Sequence, residues 1–99
     1  MNDKLLLKQL EKFGFLPTQA KLYLAGVRLG PALMTTLARQ AGIKRTTAYY
    51  VIGELKRRGF FTVVKIGKRP GYKAVAPKNL LLIIQKREKL VRKLLSYLS

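Results

Sequence analysis

The stretch from Gly42 to Gly59, GIKRTTAYYVIGELKRRG, constrains this chain more than any other. Two glycines bracket a run whose apolar residues recur at helical spacing. At about 100° per residue, Val51, Ile52 and Leu55 cluster with Ala48 on one inward arc. Thr46, Tyr49, Tyr50, Gly53 and Arg57 fall on or near the opposite side. An outer face of hydroxyl, phenol and guanidinium groups makes a poor core and suits the reading of a nucleic acid. Such a helix needs a small support that buries one side and leaves the other free.

The overall charge says what the free side meets. Ninety-nine residues make one small domain. Twenty-one Lys and Arg stand against four carboxylates, Asp3, Glu11, Glu54 and Glu88, for a net charge of +17. That field repels copies of itself and calls for a polyanion, DNA or RNA. There is no Cys and no His. A disulfide framework, a thiol zinc site and the commonest general base are therefore all missing. Four scattered acids offer little for paired-carboxylate chemistry, so no enzyme, no cofactor and no metal is expected. The longest purely apolar run, Leu80 to Ile84, falls far below the roughly 20 residues of a membrane span. Lys4, Lys8 and Glu11 break the N-terminal leucines into an amphipathic helix rather than a signal peptide. The expected location is the cytoplasm, on the nucleoid.

Taken in order, the chain reads as mainly helical with one hairpin. A first helix covers Asp3 to Phe13, capped by Asn2 or Asp3 and stopped by Gly14, with Leu6, Leu10 and Phe13 inward and Leu5 and Leu7 beside them. A second starts at Pro17 and ends before Gly30, with Ala20, Tyr23, Leu24 and Val27 on its inner stripe. Gly26 weakens it by about 1 kcal/mol relative to alanine; close approach of a neighbouring helix explains that choice, and plain tolerance explains it equally well. A short helix from Met34 to Ala41 turns inward Leu37, Ala38 and Ala41, leaving Thr35, Thr36 and Arg39 outside. Short helix, glycine turn and longer basic helix form a helix-turn-helix. Phe60 to Ile66 then reads as a strand, Gly67 to Gly71 as a basic turn, and Tyr72 to Ala76 as the return strand. A hairpin directly after a recognition helix is a wing, with Lys68 and Arg69 at its tip.

Residues 1–76 thus form a winged helix-turn-helix, and residues 77–99 a long C-terminal helix opened by Pro77. Leu80, Ile84, Val91, Leu94 and Leu98 fit a heptad seam with Arg87 at its one polar position. The expectation is a homodimer through this helix. Packing onto its own domain and lying on a membrane surface are the competing readings.

The wording of the motifs resembles a known family. The stretch FGFLPTQAKLYLAGVRLGPALMTTLARQAGIKRTTAYYVIGELKRRGFF is similar to the N-terminal winged helix-turn-helix domain of TrmB-like transcription regulators. The matching features are Gln19 to Leu24, Leu29 to Ala32, Leu37-Ala38, Gly42 to Tyr49, Leu55 with Arg58-Gly59, and Arg69-Pro70 with Tyr72 to Val75 in the wing. The likeness covers roughly residues 13 to 84. It implies DNA binding as a dimer, with the helix after Lys44 in the major groove, Arg45, Thr46 and Thr47 reaching bases or phosphates, and Tyr49 at the groove edge or the domain seam. Lys44 stands where the family usually has proline, and Leu16 where it has a threonine cap. Tyr50, Gly53 and the Lys56-Arg57-Arg58 run replace a more acidic helix surface. The sequence runs to Ser99 without the sugar-sensing domain that many relatives carry, so ligand-controlled regulation is not carried over.

Chemistry sorts the candidates. Arginine suits guanine O6 and N7, and a threonine methyl suits the thymine methyl. Arg45, Thr46, Thr47 and Tyr50 are candidates for reading sequence. Lys44, Arg57, Lys65, Lys68, Arg69 and Lys73 are candidates for phosphate contact, with Thr35, Thr36, Arg39 and Tyr49 beside them. Gly53, mid-helix on the outer face, is a point where the DNA backbone could approach closely. The expected function is a DNA-binding transcription regulator acting as a homodimer on double-stranded DNA. The alternative is an architectural, nucleoid-associated protein of low sequence specificity. RNA binding stands behind both, and a membrane-surface role stands last.

Overall fold

Five helices and one hairpin follow the glycine and proline punctuation closely in a computed structural model that describes residues 2–99. Helix α1 spans Asp3–Phe13, with the Asn2 side chain accepting the Leu5 N–H at 2.9 Å as N-cap. Helix α2 spans Pro17–Leu29 and α3 spans Met34–Ala41. Helix α4 spans Arg45–Arg57, strand β1 Phe61–Ile66, strand β2 Arg69–Ala74, and α5 Leu80–Leu98 after a single 3-10 turn at Pro77–Asn79. Between α3 and α4, Gly42 takes the left-handed conformation (φ 70°) that closes a tight helix stop, and Ile43 N–H donates back to the Ala38 carbonyl at 2.9 Å.

The core sits where α2, α3 and α4 meet the base of the hairpin. Ala20, Leu22, Tyr23, Leu37, Ala48, Ile52, Leu55, Phe60 and Phe61 are all buried there. The inner arc read for α4 holds in full: Ala48, Val51, Ile52 and Leu55 are its buried residues. The stripe read for α2 is displaced. Val27 is exposed, while Gln19, Leu22, Ala25 and Gly26 are buried with Ala20 and Tyr23. A helix covered by a hairpin on one flank and helices on the other buries a wider arc than a four-residue stripe describes. On α1 the residues against the core are Leu7, Leu10 and Phe13, and Leu5 stays exposed.

Gly26 owes its place to the hairpin, not to a neighbouring helix. A Cβ at this position would lie 2.7 Å from the Phe61 ring and 2.9 Å from the Ala74 methyl. Phe61 and Ala74 are cross-strand partners, so α2 carries the first rung of the ladder directly on its backbone.

The hairpin turn is tighter than its sequence suggests, and the strands stop short of the Phe60 and Ala76 ends read for them. Ile66 pairs with Arg69, so the turn is only Gly67-Lys68, and Arg69, Pro70 and Gly71 belong to the return strand. Gly67 holds φ 61° and Lys68 does not share a positive φ, the pattern of a type II′ turn that matches strand twist. The basic, proline- and glycine-bearing stretch looks like a loop in composition. Its proline is tolerated because the strand is an edge strand.

Two polar contacts tie the periphery to this core. Tyr23 Oη donates to the Val75 carbonyl at 2.7 Å, and burial pushes its phenol up to about 12. Asp3 pairs with Arg28 across α1 and α2; the hydrogen bond from that guanidinium holds the carboxyl below its usual range. Because the hairpin presses on bare backbone, Gly26→Ala is expected to lower stability by about 1–3 kcal/mol in urea unfolding through overpacking. Helix propensity alone dictates a gain of about 1 kcal/mol, and a stabilised variant would mean that the hairpin does not press on α2.

Candidate nucleic-acid interface

The outer face of α4 begins without a side-chain cap. Lys44 occupies the N-cap position with extended backbone and offers no acceptor, so the first-turn N–H groups keep their partial positive charge. Arg45, Thr46 and Thr47 are exposed on that first turn, and Tyr49 and Tyr50 follow on the second. Tyr50 is 69% exposed, an unusual freedom for a tyrosine ring. Arg45 leans along its own helix: its Cζ lies 5.6 Å from the Tyr49 ring centroid, and Nη2 is 3.5 Å from the Tyr49 hydroxyl.

The hairpin is fixed to the helix-turn-helix by backbone. Ala32, in the loop between α2 and α3, exchanges two hydrogen bonds with Tyr72: its N–H to the Tyr72 carbonyl at 3.0 Å, and the Tyr72 N–H to its carbonyl at 2.8 Å. Gly71 makes room for this, because a Cβ there would run into the Ile66 side chain and lie 3.2 Å from the Ala32 carbonyl oxygen. A shallow cleft of about 90 Å³ results, and Thr35, Arg45, Tyr49, Arg69 and Tyr72 line it. Residues from α3, α4 and β2 therefore meet at one place beside the exposed helix face.

The other candidates divide. Lys65 pairs with Pro70 and Lys73 with Thr62, so strand alternation puts Lys65 and Lys73 on opposite faces of the hairpin. Lys73 shares its face with Arg69, and Lys68 stands at the turn. Arg57 is exposed in the last turn of α4, one turn beyond Gly53. Thr36 is half-buried and Arg39 exposed on α3, both outside the cleft.

Arg58 belongs to the interior and leaves the basic run. Its Nη1 donates to Gln19 Oε1 at 3.1 Å, and its Cζ stands 5.1 Å from the Phe60 ring centroid and 5.7 Å from that of Phe15. Gln19, 4% exposed, also accepts the Leu16 N–H at 2.9 Å; this is the glutamine half of a capping box, and no side chain takes the first-turn N–H that a threonine at position 16 would accept. A cation stacked on two aromatic rings is a packing element. The one sequence signal for it was its place at the helix end, next to Gly59 and the phenylalanines.

The heptad seam of α5 also divides. Leu80 and the neighbouring Ile83 pack against the domain core, and Arg87 Cζ lies 5.7 Å from the Phe60 ring centroid. Ile84, Val91, Leu94 and Leu98 are exposed, together with Leu90 and Leu95. The base of α5 thus covers its own domain and the distal part carries an open apolar stripe. Among the described residues no cluster of acidic side chains could hold a metal ion, and no helix is long and apolar enough to cross a membrane.

Known proteins share this arrangement. The family described as the sugar-specific transcriptional regulator TrmB matches residues 10–78. The HTH-type sugar sensing transcriptional regulator TrmBL1 of Pyrococcus furiosus is 33% identical over 92 residues, which span 92% of this chain and 26% of that protein. The structure of TrmBL2, described as an archaeal chromatin protein with a novel mode of DNA binding, superposes with a TM-score of 0.83 at 26% identity. That likeness covers 97% of this chain and 37% of the other. The transcriptional regulator Tm0710 of Thermotoga maritima, at 21% identity and a TM-score of 0.63 over 97% of this chain and 72% of its own, shares the fold. This chain spans about a quarter of the length of its curated relative. With the family's signature covering most of its length and the winged helix-turn-helix in place, the chain belongs to the TrmB family of transcriptional regulators.

Proposed function

We propose that this chain binds double-stranded DNA as a homodimer and regulates transcription, with α4 in the major groove and the hairpin on the adjacent backbone or minor groove. The observation that carries the reading is the cleft where Thr35, Arg45, Tyr49 and Arg69, from three elements, converge beside an uncapped, exposed helix face. Base edges are read in the major groove, which admits one helix. Arg45, Thr46, Thr47 and Tyr50 take that role. Lys44, Arg57, Lys68, Arg69 and Lys73 neutralise phosphates and fix the register. Lys65, on the opposite hairpin face from Lys73, reaches a different phosphate or none. Thr35, Thr36 and Arg39 lie along the flank that α3 would turn toward the backbone.

Residues 1–76 form the DNA-binding unit in this reading, and residues 77–99 join two copies. Ile84, Val91, Leu94 and Leu98 supply the apolar seam, and a second copy is the occupant that a heptad repeat fits best. Two domains joined this way would present two α4 helices to successive turns of one duplex.

A second reading has its own support. The charge is spread over every element rather than gathered at α4, and the similar protein TrmBL2 is described as a chromatin protein. An architectural role would use the same surface with phosphate contacts dominating.

Arg45→Ala should weaken binding to a selected site by about 1–3 kcal/mol and relax its sequence preference. Lys68→Ala should weaken all duplexes alike and shrink the salt slope by about 0.9 per phosphate lost. Competition binding at near-physiological salt checks this: random DNA competing as well as the best selected site favours architecture, and structured RNA outcompeting duplex would end the DNA reading. Replacing Ile84 and Val91 together by lysine should give folded monomers in sedimentation; dimers that persist would put the seam elsewhere.

A further inference from the structure

We propose that Gly53 is the floor of a seat for a single DNA backbone phosphate and that Arg57 closes its rim. The inference rests on the duplex-DNA reading above and assigns one residue of that surface a job. Of the eight glycines in the chain, five hold a positive φ. Gly26 and Gly71 sit where a Cβ would come within 3 Å of a neighbouring side chain. Gly53 does neither. It lies inside α4 without a positive φ, and a Cβ there would meet only Arg57 Nη1, at 3.6 Å, an ordinary contact. Nothing within the chain forbids alanine, which is the better helix former. The reason for glycine lies outside the chain.

What the missing side chain uncovers can be read from helix geometry. Helical side chains lean toward the N-terminus, so a residue at position 53 would cover the surface beside Tyr49 and Tyr50. Glycine leaves that strip bare. Arg57, one turn on, leans back over it and brings a guanidinium to its edge. Tyr50, exposed and one turn before, stands on the other side. A bare helix floor with a guanidinium at its edge suits a small oxyanion, and arginine holds phosphate oxygens by paired N–H donors.

The spacing fits the groove. Gly53 lies eight residues past Arg45, about 12 Å along the helix at about 1.5 Å per residue. The major groove is about 12 Å wide. A helix that inserts its first turn therefore meets the groove wall, where the phosphates are, near Gly53 and Arg57.

The test measures affinity for a short mixed-sequence duplex over a range of salt concentrations. It uses the unaltered protein, Gly53→Ala, Gly53→Leu, Arg57→Gln and the Gly53→Leu/Arg57→Gln pair. Gly53→Ala should melt about 4–8 °C higher yet bind about threefold to tenfold more weakly. Gly53→Leu should bind more weakly still, with a salt slope smaller by about 0.9. Adding Arg57→Gln to Gly53→Leu should cost no further affinity, because both act on one phosphate. Alanine and leucine variants that bind like the unaltered protein would overturn the seat, and so would losses that simply add. Failure of the unaltered protein to bind duplex at any salt would instead bring down the DNA reading and the seat together.

Discussion

Phe60 is the residue on which the rest of the structure turns. It is fully buried, and its ring meets Phe13, Phe15 and Tyr23 edge-on at centroid distances of 6.1, 4.8 and 6.4 Å. Arg58 and Arg87 stand over it as well. These partners come from α1, the loop after it, α2, the end of α4 and α5. Phe60 itself lies in the connection between α4 and the hairpin. Edge-to-face pairs prefer defined angles, each contributing about 0.5–1.5 kcal/mol beyond its buried area. The cluster therefore sets orientation as well as stability. It fixes the direction in which the chain leaves α4, and hence where the hairpin stands relative to the exposed face of α4.

The hairpin has two further anchors, and both are backbone events. Gly26 lets Phe61 and Ala74 sit on α2, and Gly71 lets Ala32 pair with Tyr72. An edge held by main-chain bonds at one end and ring packing at the other is stiff, which suits the proposed role of a wing that keeps step with a helix in the groove. The electrostatics run the other way. Among the described residues the ion pairs are Arg28 with Asp3 and Arg92 with Glu88, both exposed, and such pairs contribute little. Most of the positive charge is uncompensated within the chain. The fold tolerates that repulsion through its core, and the DNA partner proposed above would relieve it.

Much of this was legible in the sequence. The helix boundaries marked by Gly14, Pro17, Gly30 and Gly42 stood where they were read, while Pro77 opens a 3-10 turn and α5 begins only at Leu80; the inner arc of α4 needed only the 3.6-residue period. The resemblance to TrmB-like regulators pointed to the same fold. Three features were hidden for physical reasons. Arg69, Pro70 and Gly71 read as a turn because composition does not carry register, which Gly67 and the pairing with β1 decide. The partner of Gly26 is far off in sequence, so a close approach could be foreseen but its source could not. Arg58 looks like surface charge in a basic run and Arg87 like the polar position of a helix seam; only the aromatic cluster half-buries the first and draws the still-exposed second over the Phe60 ring. Of the candidate interface, the sequence marked the residues, while the meeting of α3, α4 and β2 at one cleft required the tertiary packing.

The proposed entry of the exposed face of α4 into the major groove of duplex DNA has a direct chemical signature. Guanine N7 faces that groove, so methylation protection of a bound duplex tests the claim directly. Guanines within the bound region should have an N7 that is shielded when the protein is present and reactive when it is absent. Full N7 reactivity throughout a duplex shown to be bound would contradict it, and would move the contact to the backbone or the minor groove.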